Sequence, residues 1–236
     1  MDTRDYLKRY AYVYCYAISL CLLAASLFRH GVQTVSSQQT IQNSTRVVID
    51  AGHGGIDGGT TSISGILEKE LNLQITLRLE KLLLLLGVKP ELTRTDGEDC
   101  STEGQTIRER KRSDLNNRLE QINRSPNTVL VSIHQNHYPD SRYAGPQVFH
   151  AGDQKSQALA QALQNTFNAS LGTRRECKKA DGIYLMRNIH CPGILVECGF
   201  LSNYEEEAQL RSPEHQKKLC CLIVSEVMKY VKTPTV

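Results

Sequence analysis

Residues 10–28 (YAYVYCYAISLCLLAASLF) carry no charge, with Arg4, Lys8 and Arg9 before them and Arg29 and His30 after. The run is close to the roughly 20 residues that cross a bilayer as a helix. Tyr10, Tyr12, Tyr14 and Tyr16 crowd one end, as tyrosines do at a membrane interface. Ala24, Ala25 and Ser26 would also suit a signal-peptide cleavage site, but Phe28-Arg29 is a poor mature start and the apolar run is long for a signal core. The adopted reading is an uncleaved transmembrane anchor, with a cleaved export signal as the alternative; either way the bulk of the chain is exported. Residues 1–9 form a short leading segment. Residues 29–45 are polar, rich in Ser, Gln and Thr and without period, and read as a flexible linker.

From residue 46 onward short apolar runs alternate with helical stretches. Residues 47–49 predict a buried strand ending in a Gly-rich loop. In 71–86, Leu71, Ile75, Leu79, Leu82 and Leu86 fall on one helical face, and Gly87 is placed to stop the helix. Strands are expected at 88–93, 128–133, 146–149, 182–186 and 193–197, and helices at 107–122 and 156–171. Ser212 predicts a cap, with Pro213 in the first turn of a last helix running to about residue 231. The fold class is therefore α/β: one domain over 46–236, with a twisted, mostly parallel sheet flanked by helices on both faces. Loops beyond the carboxyl ends of such strands gather function.

A net charge of +3 on 236 residues, with Lys and Arg scattered, leaves no nucleic-acid footprint. A mildly basic surface is compatible with an anionic polymer such as a cell wall. The eight cysteines show no Cys-x-x-Cys pair; buried free thiols are the expectation, a disulfide the alternative.

Three expected strands end in ionisable groups: Asp50 and His53 after the first, His134 in SIHQN after the central one, and Glu197 after the late one. Glu68 and Glu70 stand before the leucine-rich helix; either could simply favour its N-terminus. Two histidines and a carboxylate from separate loops suit a three-ligand catalytic zinc site. A further carboxylate, Glu197, could move a proton, and without a partner it would be a costly buried charge. Taken singly, His53 could satisfy loop hydrogen bonds and His134 could be a core histidine. The glycine-rich loop lacks the spacing of a dinucleotide or phosphate fingerprint.

The segments VVIDAGHGGIDGG (47–59), EKELNL (68–73), Thr93-Arg94, SIHQN (132–136) and VECGFLSN (196–203) occur in the order of one family. Together they resemble the zinc-dependent N-acetylmuramoyl-L-alanine amidases, across the whole of 46–236. ERKRSDLNNRLEQIN (109–123) and DGIYLMRN (181–188), with the single anchor, resemble its germination-specific subgroup. The resemblance implies Zn²⁺ held by His53, Glu68 and His134, with Glu68 preferred to Glu70 because Lys follows it, and Glu197 as catalytic acid/base. Asp50 is expected to support the ligand loop. Arg118 and Asn136 are expected to position, with a structural ion pair as the alternative for Arg118. Asn203 is expected to cap the next helix.

His137 departs from the family's small residue after SIHxN and would line the cleft or lend an extra ligand; Cys191 also departs. The implied reaction is hydrolysis of the amide between N-acetylmuramic acid and L-alanine, in spore cortex maturation for germination. The alternatives are a zinc peptidase or deacetylase of the wall, or an inactive wall- or partner-binding protein. Expected partners are peptidoglycan and, through the anchor, the membrane, with an activating protein or a second copy left open. The expected location is the outer side of the cell membrane, or secretion.

Overall fold

In the computed structural model, residues 45–232 are described, with positions 16, 18–22 and 26 of the N-terminal stretch. Most of the expected anchor and linker lies outside the described residues; among the described residues no helix is long and apolar enough to cross a membrane. Ser44–Val236 forms one compact unit.

Six strands make one sheet: β1 (Arg46–Ala51), β2 (Glu91–Leu92), β3 (Thr128–Asn136), β4 (Gln147–His150), β5 (Lys178–Lys179) and β6 (Gly193–Phe200). Their order is β2-β1-β3-β6-β4-β5. All neighbouring pairs are parallel except β4 with β6, which is antiparallel, so the sheet is mixed. The chain passes from β3 to β4 without the helix that a parallel crossover needs, which frees β4 to enter reversed.

The helices are α1 (Glu68–Leu85), α2 (Ile107–Asn123), α3 (Gln154–Leu171), α4 (Tyr184–Asn188), α5 (Tyr204–Arg211) and α6 (Pro213–Lys232). Helix α1 begins at Glu68, earlier than its leucine pattern indicates, which puts that carboxylate in the first turn. Gly87, at φ 80°, follows its end. Thr106 and Glu109 cap α2 reciprocally, a Thr-x-x-Glu signal. Asn203 caps α5 by accepting from the amide of Glu206, and Ser212 accepts from that of His215 at the start of α6.

Two expectations are corrected. The strand expected at 88–93 shrinks to β2. The strand expected at 182–186 is helix α4, in which the adjacent Leu185 and Met186 are both buried; a helical turn allows this, whereas a half-exposed strand would alternate. Short apolar runs leave that choice undecided by period alone.

Alternate strand residues face opposite sides of the sheet. Val47, Ile49, Val129, Val131, Ile133, Ile194 and Val196 pack against α1, α3 and α6. On the other side Val48, Leu130 and Leu195 pack against Ile122 of α2 and Leu185 and Met186 of α4. Along this second face the strands turn polar toward their carboxyl ends. Val48 gives way to Asp50, Leu130 to Ser132 and His134, and Leu195 to Glu197. The cysteines resolved in the domain are all free, with Cys191, Cys198 and Cys220 buried.

Candidate metal centre and its neighbours

His53, Glu68 and His134 converge beyond the carboxyl ends of β1 and β3. Their ligand atoms all lie within 4.8 Å of one another. Nε2 of His53 is 3.3 Å from Glu68 Oε2, Nδ1 of His134 is 3.0 Å from Glu68 Oε1, and the rings meet edge-on with centroids 5.1 Å apart. Glu68 is buried, and its oxygens also accept from the amides of Thr60 (3.0 Å) and Gln135 (3.1 Å) and from Nδ2 of Asn72 (3.2 Å). Glu70 is exposed and takes no part. Burial alone would raise the Glu68 pKa, but the two imidazoles hold it far below the usual carboxylate range. Burial likewise opposes charge on His53, yet Asp57 and Glu68 outweigh it and push that imidazole up to about 9. Two imidazoles and one carboxylate, from a loop, a helix start and a strand, match the donor set of a catalytic zinc site.

The His53 loop is built to present its ring. His53 has φ 62°, left-handed for a non-glycine residue, and Gly54 and Gly55 also have positive φ. Its Nδ1 is 3.0 Å from Asp57 Oδ2, which leaves Nε2 toward the centre. Lys111 holds the other oxygen of Asp57 at 2.9 Å. A carboxylate on the far nitrogen fixes the tautomer and orientation of a ligating imidazole. Gly52 lies against the His134 ring, where any side chain would collide with it.

Asp50 does not reach His53 by its side chain. It accepts from Arg118 Nη1 (2.6 Å), Thr93 Oγ1 (2.8 Å) and Ser132 Oγ (2.6 Å). Burial would raise its pKa, but Arg118, Ser132, His134 and Thr93 together bring it down to about 2. Arg118 also pairs with Asp114 and donates to the carbonyls of Ala51 (2.7 Å) and His53 (2.6 Å). The guanidinium is thus both an ion-pair partner and a grip on the ligand loop. Arg94 grips the same loop at Ala51 and Gly52.

Glu197 stands beside His134, in register with it across β3 and β6. Its Oε2 is buried without a hydrogen-bond partner among the described residues. Burial and the charge of Glu68 push its pKa up to about 7, against the pull of His134 and His53. Asn136 takes part through its backbone, whose carbonyl accepts from Leu201. His137 is exposed and outside the cluster, and Cys191 packs in the core near the amino end of β6.

Asp57, Asn72 and Gln135 lie inside the family segments without being picked out individually, and Arg94 belongs to the Thr93-Arg94 motif with no role assigned to it. Asn72 offered a signal: it follows Glu68 by four residues, which stacks the two on one helical face. Ser132 offered another, sharing a strand face with His134 two positions on.

Residues 47–228 match the family described as N-acetylmuramoyl-L-alanine amidase. The germination-specific N-acetylmuramoyl-L-alanine amidase of Bacillus subtilis (strain 168) is 35% identical over 187 residues, which is 78% of each chain. The CwlD amidase of Clostridioides difficile, solved in complex with the GerS lipoprotein, superposes with a TM-score of 0.75 at 36% identity, covering 79% of this chain and 98% of that one. An N-acetylmuramoyl-L-alanine amidase from Clostridium difficile 630 superposes at 0.71 with 31% identity, over 82% and 100%. With this match over most of its length, the chain belongs to the N-acetylmuramoyl-L-alanine amidase family and is a peptidoglycan amidase.

Proposed function

We propose that this amidase is zinc-dependent, with His53, Glu68 and His134 holding the ion and Glu197 handling protons. The observation that carries the reading is the partnerless buried oxygen of Glu197, set one strand from a cluster of three ligand atoms. A zinc ion held there would supply Lewis acidity toward the lactyl carbonyl and make water acidic near neutral pH. Glu197, with its unpartnered oxygen beside His134, takes a proton from the attacking water and returns it to the amine of the departing L-alanine. Asp57 and Glu68 fix the ring of His53, and Arg118 and Arg94 fix the backbone that carries it.

The expected result with purified peptidoglycan is release of peptides beginning at L-alanine, lost on chelation and restored by zinc. Mass spectrometry of the products decides. Acetate release would mean a deacetylase, and cuts inside the stem a peptidase. Activity that survives complete metal removal would overturn the zinc reading.

The germination-specific relative and the CwlD–GerS complex support a role in spore cortex maturation, with a lipoprotein-class protein partner. The uncharged run at 10–28 supports a membrane tether with the catalytic domain on the outer face. A deletion strain should make spores whose cortex lacks muramic-δ-lactam and which fail to germinate. Normal cortex composition in that strain would exclude this role. Recovery of the native protein from the cytoplasm would exclude the location.

A further inference from the structure

The row of side chains beside the metal cluster continues past Glu197. His134 on β3 is in register with Glu197 on β6, and Glu197 with Gln147 on β4. Residues in register on neighbouring strands point to the same face. Gln147 ends the row by accepting a 2.8 Å hydrogen bond from Nη2 of Arg175. The Arg175 guanidinium lies 4.8 Å from the ring centroid of Phe200 and 5.7 Å from that of Tyr143. Tyr143 packs on Tyr138 with centroids 4.4 Å apart, and both tyrosines are exposed.

The charge of Arg175 is held in place without a direct ion pair; Glu206 acts on it only through space. Among the described residues no carboxylate lies within ion-pair distance of it, and its buried Nε has no acceptor. The neighbouring Glu206 already gives Oε1 to the amide of Gly145 and Oε2 to that of Phe200, both at 2.8 Å. A guanidinium has five N–H donors in a planar fork that matches a carboxylate, and stacking on aromatic rings leaves that fork intact.

We propose that Arg175, walled by Tyr143 and Phe200 and steadied by Gln147, binds the free α-carboxylate of the second residue of the peptide stem. The enzyme would then select stems in which that carboxylate is not amidated. This deepens the amidase reading above and rests on it. The reach agrees. Strands are ~4.8 Å apart, so Arg175, one strand and one hydrogen bond beyond Glu197, lies on the order of 10 Å from it. Two extended residues span about 7 Å, and a base acts at about 3 Å from the group it serves, which brings the same carboxylate to the same distance.

The test uses the full-length protein and two synthetic substrates, N-acetylmuramoyl-L-alanyl-D-glutamate and its α-amide. Wild type should favour the free acid about ten- to hundredfold in kcat/KM, expressed mainly in KM, as expected for a charge-assisted contact made before the reaction. Arg175→Gln should bring that preference close to unity, and Arg175→Lys should keep part of it. Calorimetry with the released dipeptides, acid against amide, should show the same contrast without relying on turnover. A wild type that treats acid and amide alike overturns the proposal, as does an Arg175→Gln loss of equal size on both. If neither substrate is cleaved while the acid dipeptide still binds better through Arg175, the hydrolytic reading fails and the carboxylate site stands.

Discussion

Gly52→Ala isolates one steric fact of the site. Gly52 is not in the left-handed region, so alanine meets no backbone strain there. Its Cβ would lie 2.7 Å from Nδ1 of His134 and nearer still to Cε1 and Nε2 of the same ring. Non-bonded carbon contacts settle near 3.5–4.0 Å, so the ring or the loop must yield by roughly 1 Å. Neither moves freely. The ring is engaged by Glu68 at 3.0 Å, and the Gly52 carbonyl is held by Asn72 at 3.0 Å and Arg94 at 3.1 Å. Overpacking of this kind costs about 1–3 kcal/mol, a fall in Tm of about 2–12 °C for a chain of this size. A ~1 Å misplacement of a site group lowers turnover by about 10²-fold. The assay is zinc per chain, thermal melting and peptide release, side by side with Gly182→Ala, whose Cβ would meet open space. Full zinc occupancy and full activity in Gly52→Ala would refute the claim that this glycine makes room for the His134 ring.

Glu197→Gln should keep zinc and fold but lose roughly 10²- to 10⁴-fold in turnover, because an amide cannot take the proton. Glu68→Gln should instead lose zinc, and the reverse pattern would mean the two roles are exchanged. Glu197 also makes metal-free stability depend on pH. Its folded pKa of about 7 lies above the ordinary 4.5, so the folded state holds the extra proton between those values and stability falls as pH rises through that window. Urea titrations of the metal-free protein should show a loss on the order of 3 kcal/mol between pH 4.5 and 8, reduced in Glu197→Gln; equal slopes would show that Glu197 is solvated. Asp50 acts in the opposite sense. Its pKa is brought down from 3.8 to about 2, so its stabilisation is complete above pH ~4 and is lost as pH falls toward 2. Asp50→Asn should flatten that acid limb, and an unchanged limb would show that the limb belongs to other carboxylates.

The proposed ligand and acid/base residues sit where a pattern breaks, but the choice among candidates comes from the family resemblance, which alone prefers Glu68 to Glu70. His53 interrupts a glycine run, His134 and Glu197 end β-rich runs, and Glu68 stands before the leucine periodicity. What holds those residues was much less readable. Asp57 meets His53 only because the loop turns through a left-handed residue and closes between Gly54 and Asp57, a path that no local pattern encodes. Gln135 and Asn72 meet across a strand and a helix 63 positions apart. Arg94 stands in a family motif, yet nothing in that motif tells that its guanidinium holds the backbone carbonyls of Ala51, Gly52 and Lys69 from other segments besides that of Asp96. The reversal of β4 was hidden for a related reason. Apolar alternation is the same in parallel and antiparallel strands, and only the missing crossover helix points to the direction.

The buried charge beneath the site makes sense as geometry more than as stability. Arg118 is 1% exposed and pairs with Asp50 and Asp114, and such buried pairs are weak contributors because desolvation offsets their attraction. The His53 loop meanwhile carries a conformation that disfavours itself: a non-glycine residue at φ 62° is raised by about 1–3 kcal/mol and persists only if its surroundings over-determine it. Arg118 supplies that determination, with one nitrogen on the Ala51 carbonyl and another on that of His53. Its flat fork sets both distances at once, which a flexible lysine with a point charge would not do. Asp50 and Asp114 in turn set the plane of the guanidinium, and Asp50 ties it through Ser132 to the strand that carries His134. One buried arginine therefore couples the backbone under the first histidine to the strand under the second. The fold itself, through this arginine, thereby helps set the spacing of the two rings.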